Sequence, residues 1–143
     1  MKYILKLAAV AILSAFQTVT FAESSGSIGD YIVHYNALST ESLPPSVARA
    51  YGITRSKNRG LLNISILKKG GNFEGVEADV DVSATNLTGQ LRNINLRQVK
   101  DQNAVYYISE FSVADRETLD FSISVKKGDQ SGNFKLRQQF FTN

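Results

Sequence analysis

Val76-Glu77-Ala78-Asp79-Val80-Asp81-Val82-Ser83-Ala84 alternates small apolar residues with acidic or hydroxyl residues without a break. Successive side chains on a strand point to opposite faces, so the run puts its valines and alanines on a core face and its carboxylates in solvent. It reads as a half-buried β-strand, and the chain on either side repeats the pattern. Upstream, Leu62, Ile64 and Ile66 alternate with Leu61, Asn63, Ser65 and Leu67 ahead of a turn at Lys68 to Asn72. Further back, Tyr31, Val33 and Tyr35 share one face, with Ile32, His34 and Asn36 on the other. Downstream, a turn at Asn86 to Gly89 leads to a polar edge strand around Arg92 to Gln98, marked by Ile94 and Leu96. Val105, Tyr107 and Phe111 define another strand, and Leu119, Phe121, Ile123 and Val125 a cleaner one, closed by the turn Lys126 to Asp129. Phe134, Leu136 and Phe140 finish the chain.

About seven strands with turn signals at intervals of roughly 8–12 residues predict an all-β fold, an antiparallel immunoglobulin-like β-sandwich. A small closed barrel is the alternative. Cysteine and tryptophan are both absent, so the likeness to immunoglobulin domains is one of architecture only. Pairing across the Lys68–Asn72 turn with both apolar faces inward would set Ile64 against Val76 and Leu62 against Ala78. It would also set Arg59 against Asp81, making a salt ladder with Glu77 and Asp79 along the solvent side.

Leu43 to Asn63 breaks the strand pattern. It holds both prolines and the densest run of cations, Arg49, Arg55, Lys57 and Arg59. Pro45 suits the first position of a helix, where its missing N–H is not needed. Gly52 can take the left-handed conformation that ends one, and Ile53 can fold back onto Val47 or Ala48. One short helix is expected near residues 45–51. Two turns are too few to stand alone, so it must dock, most simply as a plug over one end of the sandwich.

The chain opens with Lys2 and Lys6, an apolar run from Leu7 to about Val19, and Thr20-Phe21-Ala22 before Glu23. These are the parts of a cleaved signal peptide over residues 1–22, and the run is shorter than the roughly 20 residues a spanning helix needs. Glu23 to Gly29 is small and polar and reads as a flexible lead-in to a single domain over 30–143. A periplasmic protein without a membrane anchor is the expectation. Without cysteine there is neither a lipid-bearing thiol nor a disulfide framework, so an ordinary core must hold the domain. The charge of +3 falls once Lys2 and Lys6 are removed, leaving 14 Lys and Arg against 13 Asp and Glu. That balance argues against a nucleic-acid partner.

No catalytic constellation is evident. His34 is the one histidine, and neither a Gly-x-Ser-x-Gly elbow nor a phosphate loop accompanies it. The protein is therefore read as a non-enzyme. One histidine and no cysteine start a zinc site poorly, and Glu77, Asp79 and Asp81 lack the loop-borne spacing of a calcium site. Neither metal nor cofactor is expected. Asn63-Ile-Ser65 and Asn86-Leu-Thr88 match a glycosylation pattern that matters only in a host with that machinery.

Arg49, Tyr51, Arg55, Lys57, Arg59 and Asn63 form the candidate binding segment. Arginines can hold a carboxylate or phosphate bidentately and Tyr51 offers a stacking surface. The expected partner is an envelope protein or a small anionic ligand, bound by a monomer. The alternative is a chaperone-like factor that lends the edge around Arg92–Gln98 to an extended segment.

Gly29-Asp30-Tyr31, His34-Tyr35, Leu43-Pro44-Pro45, Val47-Ala48-Arg49-Ala50-Tyr51-Gly52-Ile53, Arg55-Ser56, Asn58-Arg59 and Leu62-Asn63 together carry a family resemblance. With Val105-Tyr106-Tyr107-Ile108 and Glu110-Phe111, they resemble a family of small exported gammaproteobacterial proteins, the domain of unknown function numbered 4426. The resemblance implies a periplasmic address and one β-rich domain. It brings no catalytic or binding residue with it.

Overall fold

The computed structural model describes residues 24–72 and 74–143, so the expected leader and cleavage site lie outside the described residues. The described chain folds into nine strands, β1 (Ser24–Ile28), β2 (Tyr31–Ser39), β3 (Arg59–Lys68), β4 (Asp79–Asn86), β5 (Leu91–Arg92), β6 (Arg97–Asp101), β7 (Ala104–Ser112), β8 (Thr118–Lys127) and β9 (Gln130–Gln139), with one helix, α1 (Pro45–Tyr51). Five strands in the order β1-β2-β3-β7-β6 pack against four in the order β5-β4-β8-β9, all pairings antiparallel. This is the all-β sandwich that the alternation requires. Its core is built from the inward residues of both sheets: Val33 and Tyr35 of β2, Leu62, Ile64 and Ile66 of β3, and Leu119, Phe121, Ile123 and Val125 of β8. Phe111 sits between Phe121 and Phe140, each pair of ring centroids 5.6 Å apart.

Four expectations need correction. The described part of the expected flexible lead-in, Ser24 to Gly29, is not one, since Ser24–Ile28 forms β1 on the edge of β2. Its polar composition hides two inward positions. Ile28 is buried, and a side chain at Gly26 would collide with the Phe134 ring, so the glycine is what admits that ring.

The hairpin across Lys68–Asn72 does not form either. β3 and β4 belong to different sheets, and among the described residues a single bridge, Leu67 to Gly75, joins the two arms. Gly75 packs so tightly on the backbone of Asn103 and Val105 that a Cβ would lie 2.6 Å from Val105 N. That close approach carries the chain past the end of β3 and across to the second sheet. The salt ladder is lost with the hairpin. Arg59 instead pairs with Glu110 at 3.4 Å, and Glu77 pairs with Lys100.

The polar stretch Arg92–Gln98 is not one edge strand. It ends β5, crosses between the sheets and begins β6. Finally, α1 does not plug an end of the sandwich but lies on the outer face of the five-stranded sheet, where Ala48 and Ile53 are buried with Leu61 and Ile108.

Candidate functional site

β3 and β7 are apolar on both faces. Leu61 and Ile108 point away from the sandwich core, as do Leu38 of β2, Val99 of β6 and Tyr106 of β7, and all five belong to the second apolar cluster. A strand with two apolar faces needs a cover on each. α1 and its flanking loops supply the outer one.

The helix ends as its sequence predicts. Gly52 has φ of 66°, its N–H donates to the Arg49 carbonyl, and the Ile53 N–H donates to the Ala48 carbonyl at 2.8 Å. These are the two bonds of a Schellman ending, with Ile53 against Ala48 as its apolar clasp. Seven residues cannot hold a helix by propensity alone. The segment is tied down by polar contacts at both ends. Arg55 donates from Nε to the Leu43 carbonyl at 2.8 Å and from its terminal nitrogen to the Glu41 carbonyl at 2.9 Å. Thr40, fully buried, accepts from the Ser56 N–H at 2.9 Å and donates to the Ser56 carbonyl at 3.1 Å. At the far end Tyr51 Oη donates to Asp101 of β6 at 3.0 Å. Arg97 of β6 donates to the Tyr51 carbonyl, one of the helix-end carbonyls that would otherwise lack a partner. Burial, and then the Asp101 carboxylate, push the Tyr51 hydroxyl above its ordinary value of 10.0.

Between this roof and the sheet lies a cavity of about 330 Å³. Leu43, Val47 and Tyr51 line it from above, and Leu61, Tyr106 and Ile108 from below. Among the described residues no charged side chain lines it. Two asparagines, Asn36 and Asn63, stand in the floor as direct cross-strand partners on β2 and β3. Asn63 Oδ1 is buried and has no hydrogen-bond partner among the described residues. Leaving a buried acceptor unmet costs about 1–3 kcal/mol.

The six residues of the predicted binding segment separate into two groups. Tyr51 and Asn63 meet in the cavity. The cations stand outside it: Arg49 is exposed on α1 and Lys57 in the following loop, Arg55 is taken up by main-chain oxygens, and Arg59 pairs with Glu110. Tyr51 makes an edge contact with Tyr106, centroids 6.0 Å apart, so its ring is part of the wall. Sequence reasoning missed Asn36, Leu38, Val99, Tyr106 and Ile108. Their signal was available, because Val105-Tyr106-Tyr107-Ile108 leaves neither face of its strand polar.

A second, broader cleft of about 1060 Å³ runs along β4 and the β8–β9 turn. Glu77, Asp79 and Asp81 line it together with Lys126 and Lys127, so its charges are mixed. The Lys100 ammonium beside Glu77 lowers that carboxyl. Among the described residues no three His, Cys, Asp or Glu side chains converge as metal ligands would. No helix among them is long and apolar enough to cross a membrane. His34 lies on the outward side of β2, paired in register with Ser25 and Ser65.

The sequence profile described as Domain of unknown function (DUF4426) matches residues 25–143. The chain belongs to the DUF4426 family. The crystal structure of a DUF4426 family protein, PA0388 from Pseudomonas aeruginosa PAO1, is 37% identical with a TM-score of 0.71, over 85% of this chain and 96% of that one. Two structures of FetP from uropathogenic Escherichia coli strain F11 share the fold of this DUF4426 protein at much lower identity. A copper-bound variant is 10% identical with a TM-score of 0.55, covering 83% of this chain and 95% of its own. FetP recombinantly expressed in the periplasm is 11% identical with a TM-score of 0.50, covering 82% and 91%. No curated protein sequence matches this DUF4426 chain.

Proposed function

We propose that this protein is an exported, non-enzymatic binding protein, acting in the periplasm, whose site is the cavity between α1 and the outer face of the five-stranded sheet. The observation that carries the reading is the cavity itself, apolar, uncharged and roofed by a pinned helix. Its volume stands at the lower end of small-molecule sites, roughly 300–1,000 Å³. Loop and helix segments held over a rigid sheet are where proteins commonly place binding residues. The periplasmic part rests on the leader pattern, with the expression of the FetP neighbour in that compartment as support. An anion held by Arg49, Arg55 and Arg59 fits less well, because the last two already have partners. The copper of the FetP variant is not carried over, for want of a converging donor set among the described residues.

A fragment screen read by amide chemical shifts tests the site. Binders should shift residues around Leu61, Asn63 and Ile108, and Val47→Trp, which fills the cavity, should abolish those shifts. Shifts that survive Val47→Trp, or that gather elsewhere, would overturn it. Mass spectrometry of the mature protein should find Glu23 at its N-terminus.

One observation favours a second reading, strand addition to a partner. β5 pairs with β4 only at Ala84 and Thr85, so Asp79 to Ser83 have a ladder on the β8 side alone. An extended segment could add there. The acidic face of β4 makes pairing with a second copy unfavourable, since like charges would meet across the strands.

A further inference from the structure

We infer that the cavity beneath α1 takes a compact, uncharged ligand with an apolar body and one hydroxyl or amide group, which hydrogen-bonds the Asn36–Asn63 pair. The inference rests on the binding reading above and names the chemistry of its ligand. Three features of the lining fix that chemistry. First, no charged side chain lines the cavity, and an ion placed there would lose its hydration without gaining a partner. Of the segment's cations, Arg55 is held by the Glu41 and Leu43 carbonyls and Arg59 by Glu110, and the exposed Arg49 and Lys57 are not part of the lining. Second, leucine, isoleucine and valine side chains from the helix segment and from four strands make most of the wall, so the ligand's body must be hydrocarbon to gain from leaving water. Third, the asparagine pair is the polar part of the floor. Asn63 Oδ1 is a buried acceptor with no partner among the described residues, so turning this amide to present its oxygen to a ligand O–H or N–H gains a bond that the protein does not make for itself. A purely apolar occupant would leave that acceptor unmet. The polar group of the ligand therefore decides orientation, and the hydrocarbon part supplies most of the binding.

Three nearly isosteric probes test this: benzyl alcohol, ethylbenzene and benzoate, titrated into the full mature protein and followed by amide and side-chain NH2 chemical shifts. Benzyl alcohol should shift Asn36 and Asn63, and bind about tenfold more tightly than ethylbenzene, the worth of one hydrogen bond of about 1.4 kcal/mol. Benzoate should leave the cavity residues unmoved. In Asn63→Leu the order of the two neutral probes should reverse. That substitution replaces a partly buried polar residue on an apolar face, so the fold should survive it, and an unchanged spectrum outside the cavity checks this.

If ethylbenzene and benzyl alcohol bind equally and Asn63→Leu changes neither, the hydrogen-bonding inference fails while the cavity remains a binding site. If benzoate binds best, with shifts at Arg49 and Lys57, the site is an anion site and the inference is overturned. If no probe moves any cavity residue, the binding reading itself fails and the ligand inference falls with it.

Discussion

Tyr51 and Arg55, candidate ligand contacts by sequence pattern, both hold the roof in place. Tyr51 donates to Asp101, and the same carboxylate, together with burial, makes the phenol harder to ionise than a free tyrosine. A value raised in the folded state means that Tyr51's contribution to stability is complete below its ordinary value of 10.0 and is lost as pH climbs through the folded value. Asp101→Asn keeps an acceptor and removes the charge. Its Tyr51 should titrate closer to a free tyrosine, seen as the ultraviolet difference between that protein and the double variant carrying Tyr51→Phe. An unmoved midpoint would show that burial alone sets the shift. Arg55 bridges two main-chain carbonyls through its planar fork, a geometry that lysine cannot reproduce. Because both carbonyls can turn to water, Arg55→Lys should cost only about 1 kcal/mol in urea unfolding. Its clearer effect should be faster amide exchange from Leu43 to Ala48. The cationic residue types were legible in the sequence, but their use was not, because main-chain acceptors have no sequence signal.

At the level of elements, α1 was the most legible piece: Pro45, Gly52 and Ile53 fix its start, its end and its clasp by local rules. Gly52→Ala forces an L side chain into the left-handed region and should destabilise the protein by about 1–2 kcal/mol. The long strands β2, β3, β4, β7 and β8 were equally plain, since alternation is a local property, whereas β1 and the break between β5 and β6 carried no such pattern. Partner choice was not plain. The β3–β4 pairing failed because Gly75's approach to the backbone of Val105 is a tertiary fact, invisible in the alternation of either strand. The resulting open edge of β4 makes a paired prediction. Asn86 donates its N–H to Gln90 on the β5 side, so by alternation Val82 also points its N–H that way, and Ser83 points towards β8. Val82→Pro should therefore keep most of the native stability, whereas Ser83→Pro, which loses a ladder bond, should cost a few kcal/mol. Equal losses in chemical unfolding would mean that the edge is not open. A Val82→Pro protein that folds but loses a strand-adding partner would support the second reading.

For the whole molecule, β1 decides how the sandwich is closed. It covers the edge of β2, and its inward residues reach β9 of the other sheet: Ile28 lies against Gly132, and Gly26 against Phe134. The segment contains three serines and a glycine, so composition hid a strand whose stability comes from the ready-made edge of β2 and not from its own propensity. Two variants separate its roles. Ile28→Ala removes a side chain that is 2% exposed and should cost about 2–5 kcal/mol while leaving the edge covered, so its state of association should match that of the unaltered protein. A chain beginning at Gly29 should lose at least as much stability and also bare the backbone of Tyr31–Tyr35, the part of β2 that β1 covers, leaving an open edge of the kind that invites pairing between molecules. Sedimentation velocity should then show concentration-dependent association of the truncated chain alone. If the truncated chain were as stable as one beginning at Glu23 and associated no more than it, β1 would be dispensable to the sandwich, and the lead-in reading of residues 23–29 would be restored.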